Sequence, residues 1–149
     1  MDEISRLQKN LPALRAAANW SVQEFADMLG VTRQTVNNLE KGEESGTAMS
    51  KIQYLAIRSL LTYEIEKNQN DRLEKLMYFL VDHPEELSEK NQEILSRQAK
   101  LLSSAVKGGA SNADVDDTWN SMLHMLGIAS ISIAIGSAAA WIDSYLNRK

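Results

Sequence analysis

The densest group of chemically capable side chains is the run Thr32, Arg33, Gln34, Asn37, Asn38 and Lys41 within LGVTRQTVNNLEKG, residues 29–42. A guanidinium and planar carboxamides make paired hydrogen bonds to a flat group that presents a donor beside an acceptor. That is recognition chemistry. The groupings needed for catalysis are missing from the sequence: it has no cysteine, no glycine-rich phosphate loop, no nucleophile elbow and no paired carboxylates. His83 and His124 lack the companion ligands of a metal site, so neither metal nor cofactor is expected. Asn112, Asp114 and Asp116 alternate like the opening of a calcium loop. Asp117 stands where that loop needs glycine and Leu123 where it needs glutamate, and helix capping by Asp116 or Asp117 accounts for the acids. The chain reads as a non-enzyme.

The elements around the polar run follow from spacing. Only two prolines and seven glycines punctuate a chain rich in good helix formers, which predicts an all-α fold. Leu11, Leu14, Ala17 and Ala18 suggest a first helix ending near Asn19 and Trp20. Ser21 and Glu24 have the spacing of a capping box, so a second helix starts at about Ser21 with Val22, Phe25, Ala26 and Leu29 facing inward. Gly30 ends it, and Thr32 caps a third helix from Arg33 to about Glu40, whose Val36 and Leu39 point inward. Two short helices joined by a tight glycine turn, the second polar on its outer face, make a helix-turn-helix. The major groove of B-DNA admits one α-helix and displays donors and acceptors that Arg, Gln and Asn read in pairs.

Residues 11–67 resemble the Cro and phage-repressor type of helix-turn-helix domain, in the bacterial form with GVTRQTVNNLEKG followed by SKIQYLAIRSLL. The resemblance implies base reading by Thr32, Arg33, Gln34 and Asn38, with Arg33 suited to guanine and Gln34 or Asn38 to adenine. It implies phosphate contacts from Ser21, Gln23, Asn37 and Lys41. One position departs: Val22 stands where the family has a phosphate-gripping glutamine. Gln23 is adjacent but rotated by about 100° around the helix. The resemblance further implies a homodimer on double-stranded DNA, since one recognition helix spans too few base pairs.

Beyond Gly42, EESGTAMS is a loop, and Ser50 caps a helix to about Lys67 whose Ile52, Leu55, Ala56, Ser59, Leu60 and Tyr63 are expected to close the core of a five-helix N-terminal domain. NQND, 68–71, is the expected boundary. A short helix follows with Leu73, Leu76, Met77, Leu80 and Val81 apolar. Pro84 then opens a longer one, with Leu87, Ile94, Leu95, Leu101, Leu102 and Ala105 along one side, making 68–107 a helical region. Residues 108–117 are expected as a linker. From Thr118 to Ile142 no residue carries a formal charge, which is long enough for a membrane span. Ser132, Gly136 and Ala140 recur every four positions, and Trp119 and Trp141 lie near the ends. A single span would put the basic tail, Arg148 and Lys149, on the cytoplasmic side, where a DNA-reading domain must also be, and one crossing cannot satisfy both. A buried or dimer-forming helix with Ile128, Ile131, Ile135, Ile142 and Leu146 in one stripe is preferred over a membrane anchor.

The formal net charge of −4 and a pI of about 5.2 exclude binding by bulk positive charge, so any DNA contact is local. The absence of cysteine and the charged N-terminus fit a cytoplasmic protein. Taken together, these features predict a bacterial or phage-like transcriptional regulator. The competing expectation is a protein-binding adaptor or antitoxin on the same fold, tethered to a membrane or not.

Overall fold

A computed structural model describes residues 2–129 and 140–147, and all described regular structure is helical. In chain order the helices are α1 (Glu3–Lys9), α2 (Leu11–Ala17), α3 (Val22–Leu29), α4 (Arg33–Glu40), α5 (Lys51–Asn68), α6 (Asp71–Met77), α7 (Glu89–Lys107), α8 (Asn112–Met125) and α9 (Ala140–Leu146). A π-helical turn, Tyr78–Asp82, extends α6, and a 3₁₀ turn, Pro84–Glu86, precedes α7.

The expected first helix is α2, and a further helix, α1, precedes it. Asp2 caps α1 by accepting from the Ser5 amide at 2.8 Å, and the chain turns at Asn10, which ends α1 and begins α2. Pro12 explains the break: it has no N–H to continue the ladder, and its ring would collide with a carbonyl four residues back. The helix expected to open at Pro84 starts later. Pro84 begins only a 3₁₀ turn, and Ser88 supplies the cap of α7, its Oγ accepting from the Asn91 amide at 3.1 Å. Residues 108–117 are not wholly a linker either, because α8 begins at Asn112. Its cap is Ser111, whose Oγ accepts from Asp114, in place of the expected Asp116 or Asp117. Asp116 lies inside α8 and pairs with Arg72 at 3.1 Å.

The centre is α2, buried along its whole length. Its alanines, together with Ala99 of α7, let α7 approach closely, and α6 and α8 pack on it as well. One apolar core thus runs across the position expected as a boundary, from Leu11, Leu14, Phe25 and Val36 to Leu73, Leu95, Leu102, Trp119 and Met122.

Two expectations about faces are corrected. The stripe of α5 predicted to close the core does so only at its edges: Leu55 and Leu60 pack half-buried against it, while Ile52 is 81 % exposed and Tyr63 58 %. The buried side is Tyr54, Ile57, Arg58, Leu61 and Ile65, because Arg58 reaches Asp82 in a bidentate ion pair and so can sit at an inward position. In α7, Leu101 is likewise 58 % exposed, while Ala99 and Ser103 take inward positions. The continuous helix expected over 118–142, as assembly helix or membrane anchor, is interrupted. Helix α8 ends at Met125, and Gly127 adopts φ 75°, a left-handed conformation that glycine reaches without strain. Trp119 is fully buried in protein and so is no membrane-belt residue. Among the described residues no helix is long and apolar enough to cross a membrane. Ser132, Gly136, Ile131 and Ile135, on which part of that expectation rested, lie outside the described residues.

Candidate nucleic-acid interface

The helix pair α3–α4 is fixed at both ends by local chemistry. The capping box is complete: Ser21 Oγ accepts from the Glu24 amide and Glu24 Oε1 accepts from the Ser21 amide, both at 3.0 Å. Trp20, the residue before the cap, stacks on Phe25 with ring centroids 5.5 Å apart, the hydrophobic staple that sets the angle at which the chain enters α3. Gly30, at φ 72°, closes α3. Thr32 Oγ1 then accepts from the Thr35 amide at 3.2 Å and opens α4 after a turn with no slack.

Two long-range contacts, from Arg15 and Gln8, hold α4 from behind, and the loop at Gly46 approaches its backbone closely; none of these follows from local spacing. Arg15 of α2 donates to both carboxylate oxygens of Glu40, at 2.6 and 3.1 Å, and its remaining Nη1 donates to the Trp20 carbonyl at 2.9 Å. One side chain thus joins the entry to α3 to the end of α4. Buried Gln8 donates to the carbonyls of Leu39 and Thr47, at 3.0 and 2.7 Å, and accepts from the Met49 amide at 2.9 Å. It ties the loop after α4 to α4 itself. Gly46 lies so close to α4 that a Cβ there would come within 2.0 Å of the Asn38 carbonyl oxygen. The sequence held one faint signal of the first contact, a lone arginine in an otherwise apolar stretch, LPALRAAA. Gln8 and Gly46 gave none.

On the outside, Thr32, Arg33, Gln34, Asn37 and Lys41 are exposed and Asn38 is half-buried. Gln34 and Asn38, one turn apart, already touch: Gln34 Nε2 donates to Asn38 Oδ1 at 3.2 Å. This leaves the Gln34 carbonyl as an acceptor beside the Asn38 amino group as a donor, the complement of an adenine edge. Glu40, the sole acid of α4, is turned inward and neutralised by Arg15, so the outer face of α4 carries only Arg33 and the capping Lys41 as charges.

The expected phosphate contacts are less uniform. Ser21 is exposed with its Oγ and amide engaged in the capping box. Its hydroxyl hydrogen and the first-turn amides of α3 remain as donors. Gln23 donates to Asp27 Oδ1 at 2.8 Å on its own helix. Val22 packs half-buried against the core. Glu24 and Asp27 leave the outer side of α3 acidic, so phosphate attraction at this end falls to backbone amides.

The fold is all-α and its helix pair α3–α4 has the form of a helix-turn-helix. Residues 13–53 match the family described as helix-turn-helix, and the matched segment lies within the stretch that resembles the Cro and phage-repressor type of domain. No match was found among curated proteins or among solved structures.

Adding a single methyl group behind α4 should matter as much as removing a contact in front of it. Gly46→Ala is expected to destabilise the chain by about 1–3 kcal/mol, as overpacked sites do, and to weaken duplex binding beyond what stability explains, because the collision is with the backbone of α4. Chemical denaturation and fluorescence anisotropy on the same variant read both. An unchanged denaturation midpoint would show that the loop moves aside freely.

Proposed function

We propose that the protein is a sequence-specific DNA-binding transcriptional regulator that reads the major groove with α4 and acts as a homodimer in the bacterial or phage-host cytoplasm. The observation that carries the reading is the outer face of α4. Arg33, Gln34 and Asn38 stand there together, free of any exposed acid on that helix and braced from behind by Arg15, Gln8 and Gly46. Arg33 reads guanine through two hydrogen bonds, and Gln34 with Asn38 read adenine. Asn37, Lys41 and Ser21 contact the backbone and set the register.

The weight that this reading puts on base contacts has a consequence. Arg33→Ala should cost about 1–3 kcal/mol on a duplex selected from a random pool and little on unselected DNA. Lys41→Ala should weaken both alike and flatten the salt dependence by about one charge. Anisotropy titrations of the two variants at several salt concentrations make the comparison. Equal loss on both DNAs for Arg33→Ala would remove its base-reading role.

A protein-binding adaptor or antitoxin is the second reading. It is supported by the exposed acids Glu24, Asp27, Glu43 and Glu44 around the helix pair, which repel a polyanion. Absence of duplex binding even at low salt favours it.

A further inference from the structure

Helix α5 is apolar on two opposite sides. One side, with Tyr54, Ile57, Leu61 and Ile65, belongs to the core. The other carries Ile52, Leu55, Ala56, Ser59, Leu60 and Tyr63, of which Ile52, Ala56, Ser59 and Tyr63 are exposed and Leu55 and Leu60 half-buried. The residue at 58 is the sole ionised side chain between 52 and 63, and it turns inward to Asp82. An uncharged stripe about 16 Å long therefore lies along three turns of the surface of a chain in which a quarter of the residues are charged.

The order of residues in that stripe says what it fits. Ile52 and Tyr63, Leu55 and Leu60, and Ala56 and Ser59 are three pairs, each centred on the same point between Ile57 and Arg58. A twofold axis through that point lays a second α5 antiparallel on the first. Ile52 then meets the partner's Tyr63 and Leu55 meets the partner's Leu60. The two small residues, Ala56 and Ser59, fall at the crossing, where the helix axes come closest. An isologous interface requires this self-complementarity, since each position must suit its symmetry mate. The charges at the rim agree: exposed Lys51 at one end of the stripe comes within two residues, about 3 Å along the axis, of the level of the partner's Glu66, exposed at the other end.

We propose that this face of α5 seats a second copy of the chain, antiparallel and in that register. The proposal rests on the DNA-reading function, for which it supplies the twofold axis that relates two copies of α4. A single helix pair covers less than the roughly 800 Å² per partner of a standard interface, so the dimer is reversible and DNA bearing two half-sites strengthens it.

The test uses the full chain. Sedimentation equilibrium of the wild type should show monomers and dimers exchanging. Ala56→Glu, an exposed site where glutamate suits a helix, should raise the dimer dissociation constant by at least about tenfold with helicity unchanged. Because the chain lacks cysteine, register can be read by mixing Ala56→Cys protein with Ser59→Cys protein under mild oxidation. Mixed dimers should form faster than either like pair.

A wild type that stays monomeric at every concentration overturns the proposal and leaves the stripe to another segment of the same chain or to a different protein. Dimers that survive Ala56→Glu, or like pairs that cross-link as fast as mixed ones, overturn the face or the register. Binding to a duplex with a single half-site is measured separately. Its absence in the wild type removes the DNA-reading function while sedimentation still decides the interface.

Discussion

Replacing Arg15 by alanine is expected to lower stability by about 3–5 kcal/mol, the range for breaking a buried ion pair from one side. Both partners are nearly dry, with 9 % of the arginine side chain and 5 % of the Glu40 side chain exposed. Alanine leaves the Glu40 carboxylate buried without its cation and the Trp20 carbonyl without its donor. The loss falls on the helix pair, because those two acceptors mark the start of α3 and the end of α4. Glu40→Ala strands the guanidinium and should cost a similar amount. The paired change Arg15→Met with Glu40→Leu removes both charges and should recover most of the loss, since well-packed apolar residues often replace a buried pair at no net cost. Urea unfolding of the wild type, Arg15→Ala, Glu40→Ala and the double alanine variant gives the coupling from a closed double-mutant cycle, and the Arg15→Met/Glu40→Leu protein is unfolded beside them. Single substitutions costing under about 1 kcal/mol would place this pair with exposed surface bridges, which contribute that little. The recovered double variant should keep its fold and lose duplex affinity, because Arg15 also holds the angle between α3 and α4.

Where a structural cause sits within about four residues of its effect, the sequence displays it. The Ser21–Glu24 box, the glycine at 30 and the inward pairs Phe25–Ala26 and Val36–Leu39 are of this kind, and they suffice to delimit α3 and α4 and to name the exposed side chains of α4. The Arg15–Glu40 pair spans 25 residues and the Gln8–Thr47 bond 39, and nothing local announces either. The face of α5 shows how such contacts mislead periodicity. Apolar residues occupy both sides of that helix, so a spacing rule has two answers. The choice is made by a charged residue, Arg58, which finds Asp82 in the π-helical turn and the ring of Trp141 in α9, 5.0 Å away. In the same way, uncharged composition from 118 onward looks like one long helix, whereas a left-handed glycine at 127 and a fully buried Trp119 place its first part in the core.

The proposed reading of DNA by an acidic chain is helped where acids are neutralised within the fold. Glu40 is consumed by Arg15, Asp82 by Arg58, Asp116 by Arg72 and Asp71 by Lys75, which spans to the Ala129 carbonyl as well. Each of these pairs also joins or stiffens helices. What remains on the outer side of α4 is a short row of hydrogen-bonding groups with two cations. On the proposed reading, such a surface gives modest affinity for DNA at large and puts most of its discrimination into base contacts. A shallow salt dependence, with a slope set by few phosphates, follows from the same distribution of charge.

Truncating Trp119 should destabilise the whole chain, by about 3–5 kcal/mol, as deleting a large buried aromatic does. Its ring is fully buried with Val115, Met122 and Leu123 on the side of α8 that meets α2 and α7. Among the described residues its indole N–H has no acceptor, so Trp119→Phe forfeits no hydrogen bond and should lose far less than Trp119→Ala. Because α2 also carries Arg15, a cavity beneath α8 is felt at α4. Unfolding of Trp119→Ala followed by Trp20 fluorescence in a Trp141→Phe background, beside far-ultraviolet circular dichroism, should give one coincident transition at lower denaturant. Two separated transitions, with the Trp20 signal unmoved, would mean that α8 is an appendage to the helix-turn-helix and not part of its core. A coincident loss gives the protein a physical route for input. Whatever loosens or tightens α8 against α2 changes the population of chains in which α3 and α4 are held at the angle needed to enter a groove.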